Sequence, residues 1–301
     1  MTTAPLLLCY DGSPDAKHAI ARAAATFDPR PAIVVSVWEP LAPDETRLVA
    51  FPRERVAETL AAEGVRLAEA HGFASVRPHA IRATDTVWAT ILGVSAQFGS
   101  AVTVLGARGR SGVRSALLGS VSNHIVHHAT CPTFVVQHNA TESIARRALI
   151  AYDGSDDAKQ AIEWAGLVLA RRSVAVLAVW QDPHAALTHA WAGMAYVSDL
   201  SEIAEAAERA ATTCAAEGAD LAAAAGLDAE PLVRQAAGPV WPTILEASEQ
   251  LDASVVVLGS RGLTGISTVM LGSVSDAVLH HTRRPTFIVR HGAQLDHHRD
   301  Q

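Results

Sequence analysis

The chain contains itself twice. Leu8-Cys9-Tyr10-Asp11-Gly12-Ser13 returns as Ile150-Ala151-Tyr152-Asp153-Gly154-Ser155, and residues 104–138 return as 257–291 with 18 of 35 positions identical. A repeat this long is a duplicated domain, not one unit of a solenoid, whose period is ~20–50 residues. The first match has an offset of 142 and the second 153, so the second copy carries a net insertion of 11 residues, between the Trp180 region and the Ala215–Glu217 helix. The polar stretch from His138 to Arg147 reads as a linker. That gives domains at 1–140 and 147–292, each long enough for its own core in a chain that is 49% hydrophobic. The polar, His-rich residues 292–301 are expected to be a disordered tail.

Within the first copy, strand and helix signals alternate. Short apolar runs at 6–10, 33–38, 76–82, 102–105 and 133–136 read as strands. Between them, Ser13-Pro14 starts a helix, since Ser caps free N–H groups and Pro tolerates the first helical position. Residues 53–71, 86–98 and 120–128 have helical spacing. Alternating β and α predicts an α/β fold: two tandem Rossmann-like domains, each a five-stranded parallel sheet with helices on both faces. Right-handed crossovers favour strand order 3-2-1-4-5. The last strands of the two copies are then edges rich in β-formers, and the two copies are expected to pair there within the chain.

Composition narrows the function. A net charge of -7 argues against nucleic acid as a partner. No apolar run approaches the ~20 residues of a membrane span, and no basic-then-apolar leader is visible, so neither membrane nor secretion is expected. Three scattered cysteines suit a reducing cytoplasm.

In an open parallel sheet, ligands sit at the carboxyl ends of the strands where the order reverses. Here that point lies between strands one and four. Asp11-Gly12-Ser13 follows strand one. After strand four come Gly106-Ala107-Arg108-Gly109, nine residues, and Gly119-Ser120-Val121-Ser122. The second copy repeats these pieces as Asp153-Gly154-Ser155, Gly259-Ser260-Arg261-Gly262 and Gly272-Ser273-Val274-Ser275. Glycine lets backbone approach a ligand closely. Helix N-termini carry N–H groups with no internal partner and the positive end of the dipole, so they favour an anion. Ser120 and Ser122 can add hydroxyl donors, and Arg108 and Arg261 either guard the phosphates or face solvent. A phosphate ligand fits; an ordinary capped strand–helix loop is the alternative. The motif is no Walker loop, because no Lys follows its last Gly.

Gly-x-x-Gly, nine residues, then Gly-Ser, together with Asp-Gly-Ser after strand one, resembles the universal stress protein family, in its tandem two-domain form and its ATP-binding branch. The resemblance implies that Asp11 and Asp153 face the nucleotide. By the same match, Gly106 and Gly259 lie near the ribose, Gly109 and Gly262 near the phosphates, and Gly119, Ser120, Gly272 and Ser273 hold the phosphates. Val37 and Val179 match its adenine-contacting position. It further implies ATP with a divalent cation, Mg or Mn, a homodimer, and a stress- or growth-state role.

The only lysines, Lys17 and Lys159, recur in the repeat and read as exposed charges, with a phosphate or interdomain contact as the alternative. Trp88 and Trp241 read as packing residues, with an edge of the nucleotide pocket as the alternative. His124 and His128 have metal-pair spacing, but Ala277 replaces the first of them in copy two. Three functions stay open: an ATP-binding regulatory protein with little or no turnover, a slow ATPase or adenylate-transferring enzyme, and a scaffold with vestigial sites.

Overall fold

The computed structural model describes residues 4–40, 52–109, 118–141, 147–169, 173–182, 200–262, 271–290 and 292–293. Half of the expected linker, the inserted segment of copy two, the greater part of both nine-residue gaps and nearly all of the tail lie outside them.

The first copy runs β1 (Leu6–Cys9), α1 (Pro14–Thr26), β2 (Ala32–Trp38), α2 (Arg53–Ala70), β3 (Val76–Arg82), α3 (Val87–Gln97), β4 (Val102–Gly106), α4 (Ser120–His128) and β5 (Thr133–Val136). The second runs β6 (Ala148–Ala151), α5 (Asp156–Val168), β7 (Ser173–Gln181), α6 (Leu200–Ala224), β8 (Asp228–Ala236), α7 (Val240–Gln250), β9 (Val255–Gly259), α8 (Ser273–His281) and β10 (Thr286–Val289). Strand order in each half is 3-2-1-4-5, with every pairing inside a half parallel. The α/β fold read from the sequence is thus the fold observed.

Period-2 alternation divides β1 between two layers. Leu6 and Leu8 pack with Ala16, Ala19 and Ile20 of α1, while Leu7 packs with Ile91 and Val94 of α3 and Ile125 of α4. Helices therefore cover both faces, as parallel sheets require. The strands are buried nearly throughout, except β3 and β8, whose residues are largely half-exposed or exposed.

β5 and β10 pair antiparallel, Phe134 opposite Phe287, and join the two sheets into one of ten strands whose edges are β3 and β8. Phe27, just past α1, seals this junction. Its ring stands edge-on to Phe134 at 4.9 Å and to Phe287 at 5.7 Å. Its backbone bridges to Leu169, the matching position after α5. One apolar layer therefore runs through both copies.

Candidate functional site

Two turns meet at the carboxyl ends of β1 and β4. The first is shaped by Gly12, at φ +83°, a left-handed conformation that other residues adopt at a cost. Asp11 Oδ1 accepts the Ser13 N–H at 3.0 Å, and Ser13 Oγ accepts the Ala16 N–H to cap α1. In copy two, Gly154 is at φ +81° and Asp153 and Ser155 make the same bonds. The Asp is thus a turn-former, and its second oxygen lies against the second glycine of the motif, Gly109 in copy one and Gly262 in copy two.

The second turn begins at Gly106. A Cβ there would lie 2.6 Å from the Asp15 carbonyl carbon, so Gly106 lets α1 lie against β4. Gly259 does the same against Asp157 at 2.7 Å. The chain then returns, and the Gly119 N–H donates to Ala107 O at 2.7 Å. Gly119 is the N-cap of α4 and offers no side chain, whereas Ser13, Thr86 and Ser155 cap α1, α3 and α5 with their hydroxyls. The first-turn amides of α4 therefore keep their donors without a side-chain cap. Gly272 leaves α8 in the same condition. The positive helix end adds to the attraction for an anion.

These pieces border a cavity of 590 Å³ in copy one, within the size range of small-molecule sites. Asp11, Val37, Gly106, Arg108, Gly109, Gly119, Ser120, Val121 and Ser122 all line it. Gly12 does not; it makes the turn and faces Leu60. Ser122 differs from expectation: its hydroxyl donates to Gly106 O at 2.8 Å, and Ser275 does likewise to Gly259 O, so both brace the strand end. Val179 and Val274, both partly buried, pack against the copy-two core.

Sequence reasoning missed several groups. Ser36 lies in the cavity wall and donates to Tyr10 O at 2.7 Å. Glu39, Leu60, Val87 and Ile91 also line it, as does Cys9, whose thiol burial pushes up in pKa. Buried Asp15 was missed too. It accepts the Arg108 N–H at 3.1 Å on one oxygen and meets His138 Nδ1 at 2.5 Å on the other. Its recurrence as Asp157, in the same helical turn, is the one signal that marked it.

The lysines have a clear place. Lys17 pairs with Glu63 at 2.9 Å, and Glu63 also accepts the Tyr10 hydroxyl at 2.7 Å. Lys159, Glu217 and Tyr152 repeat this set. Burial and the carboxylate raise the pKa of both tyrosines, while the hydrogen bonds lower that of both glutamates. The sets tie α1 to α2 and α5 to α6. His124 and His128 stack on Trp88, and His281 stacks on Trp241. Among the described residues no three His, Cys, Asp or Glu gather at metal-ligand spacing, and no helix is long and apolar enough to cross a membrane.

The family model for the universal stress protein family matches twice, over residues 3–137 and 145–290. The universal stress protein Rv2005c of Mycobacterium tuberculosis is 30% identical over 63% of this chain and 61% of its own length, so the chain spans about three fifths of that relative. The universal stress protein YxiE of Bacillus subtilis is 31% identical over 48% of this chain and 98% of its own. A universal stress protein structure from Archaeoglobus fulgidus superposes over 96% of this chain and 99% of its own, with a TM-score of 0.62 at 20% identity. One from Pseudomonas aeruginosa covers 96% and 94%, with a TM-score of 0.61 at 17% identity. Two tandem copies of one domain make up this chain, and it belongs to the universal stress protein family.

Proposed function

We propose that each copy binds an adenine nucleotide, ATP with a divalent cation, and turns it over little or not at all, in keeping with a role in the stress response. One observation carries this reading: the N-terminus of α4, uncapped by any side chain, opens on the cavity that Asp11, Arg108 and Gly109 also border. Phosphates would take the α4 amides, and the base would lie against the Val37 wall. The Asp11 carboxylate beside a polyphosphate is tolerable only by hydrogen bonding to the sugar or by sharing a cation. Both lysines of the chain are engaged by Glu63 and Glu217. With no lysine on the phosphate loop, the site favours binding over phosphoryl transfer.

Mass spectrometry of nucleotide released from denatured, freshly purified protein tests this directly, together with melting in the presence of ATP and magnesium. Co-purifying ATP, and a rise in melting temperature corresponding to ~2.7 kcal/mol per site at a hundredfold excess over Kd, are expected. No bound nucleotide and an unmoved melt would overturn the reading. Association of whole chains as a homodimer, in the cytoplasm, goes with this proposal. It would use a surface other than β5 and β10, which already pair with each other.

A further inference from the structure

The two copies share their motif but differ in the charge they present at its centre. In copy one Arg108 lines the cavity, and its buried Nε has no hydrogen-bond partner among the described residues. Asp15, a buried carboxylate at the same turn, is already occupied by His138 and the Arg108 backbone N–H. In copy two the arrangement is reversed. Arg261, the counterpart of Arg108, points its Nε at Asp157 Oδ2, at 3.4 Å. The same oxygen accepts the hydroxyl of Ser260, which stands where copy one has Ala107, at 2.7 Å.

Resting on the reading above, we propose that Arg108 is a specificity-determining residue that makes the first site discriminate by phosphate number, whereas the Asp157–Arg261 pair deprives the second site of that discrimination. A guanidinium without a carboxylate partner gains a charge-assisted bond when a β- or γ-phosphate arrives. One already paired to a buried carboxylate must give up that bond first, and taking a cation away from buried Asp157 is costly even with the Ser260 hydroxyl still donating to it. The first site thus takes nucleoside di- and triphosphates over monophosphates, and the second takes adenine nucleotides with little regard to phosphate count.

Calorimetric titration of the full chain with ATP and with AMP, in the presence of magnesium, tests the assignment on the wild type and on Arg108→Gln, Arg261→Gln and Asp157→Asn. The wild type should show one site preferring ATP over AMP and one nearly indifferent. Arg108→Gln should lower ATP affinity at the first site about tenfold and leave AMP affinity within twofold. Arg261→Gln should change neither ligand by more than twofold. Asp157→Asn, which keeps a partner for Ser260, should raise ATP affinity at the second site by releasing Arg261. Arg108→Gln and Arg261→Gln lowering ATP affinity equally would overturn the proposal while leaving nucleotide binding intact. A wild type that binds neither nucleotide would overturn the underlying reading as well.

Discussion

A Cβ added to Gly109 would stand 2.8 Å from Oδ2 of Asp11, and one on Gly262 would stand 2.5 Å from Oδ2 of Asp153. The second glycine of the motif is thus the floor on which the carboxylate from the other turn rests. The two turns that flank the cavity meet at this contact, and a methyl group there moves the carboxylate, not the backbone.

Gly109→Ala should therefore weaken ATP binding at the first site on the order of tenfold while costing under ~1 kcal/mol of folding stability, the usual range for a change near the surface. Gly119→Ala, whose methyl would lie 3.3 Å from Ala107 O, should act in the same direction. Calorimetry with ATP, read beside urea unfolding, checks both. Unchanged ATP affinity in both variants would remove the phosphate loop from the site.

Gly106→Ala should behave in the opposite sense. Its methyl would lie 2.6 Å from the Asp15 carbonyl carbon and 2.7 Å from the Ala16 N, both backbone, so α1 must shift off β4. Overpacking of this kind costs ~1–3 kcal/mol. The urea midpoint should fall accordingly, and whatever ATP affinity is lost should follow from that displacement. A variant as stable as the wild type would show that the α1–β4 contact is looser than described.

These two glycines show where the sequence was legible and where it was not. Alternation and right-handed crossovers made the strand order and the crevice readable, Asp11 and Arg108 were identified from the segments that follow strands one and four, and Val37 from the family resemblance alone. Gly106 and Gly109 look alike in the motif, yet one serves helix packing and the other a carboxylate contact. Only the approach of α1 separates them. Ser122 reads as a phosphate donor because it opens a helix, but a strand-end carbonyl 16 positions away takes its hydroxyl. Asp15 resembles any acid in a first helical turn, since its partner His138 is 123 residues distant. Lys17 is the exposed charge it reads as, but its ion pair with Glu63 is not legible because Glu63 lies on another helix. Each miss is a tertiary pairing, which neither periodicity nor spacing encodes.

Phe27 offers a test of the joined sheet. It is 4% exposed and touches Phe134 and Phe287, one from each copy. Phe27→Ala should cost ~3–5 kcal/mol, as large aromatic truncations in cores do. Because the lost ring belongs to both copies, denaturant unfolding should begin to separate into two transitions. A drop confined to the first copy, with the second unaffected, would mean that the junction at β5 and β10 does not couple them.

The pH dependence of stability should report His127. From α4 it reaches the second copy, where its Nδ1 accepts the Leu271 N–H at 3.3 Å, next to the N-cap of α8. Burial lowers its pKa below the ordinary 6.5; Asp276 opposes this, and His128, Arg290 and His280 add to it. The unfolded chain then binds a proton more readily than the folded one, so the contribution is full above pH ~6.5 and is lost as pH falls from there towards the folded value. Protonation would also turn Nδ1 from acceptor to donor and break the bond to Leu271. His127→Asn retains an acceptor without titrating, so it should flatten the stability profile between pH 7 and 5 while leaving the value at pH 7.5 within ~1 kcal/mol of the wild type. Melting both proteins across that range decides the matter: parallel profiles would mean that the acid sensitivity belongs to other groups.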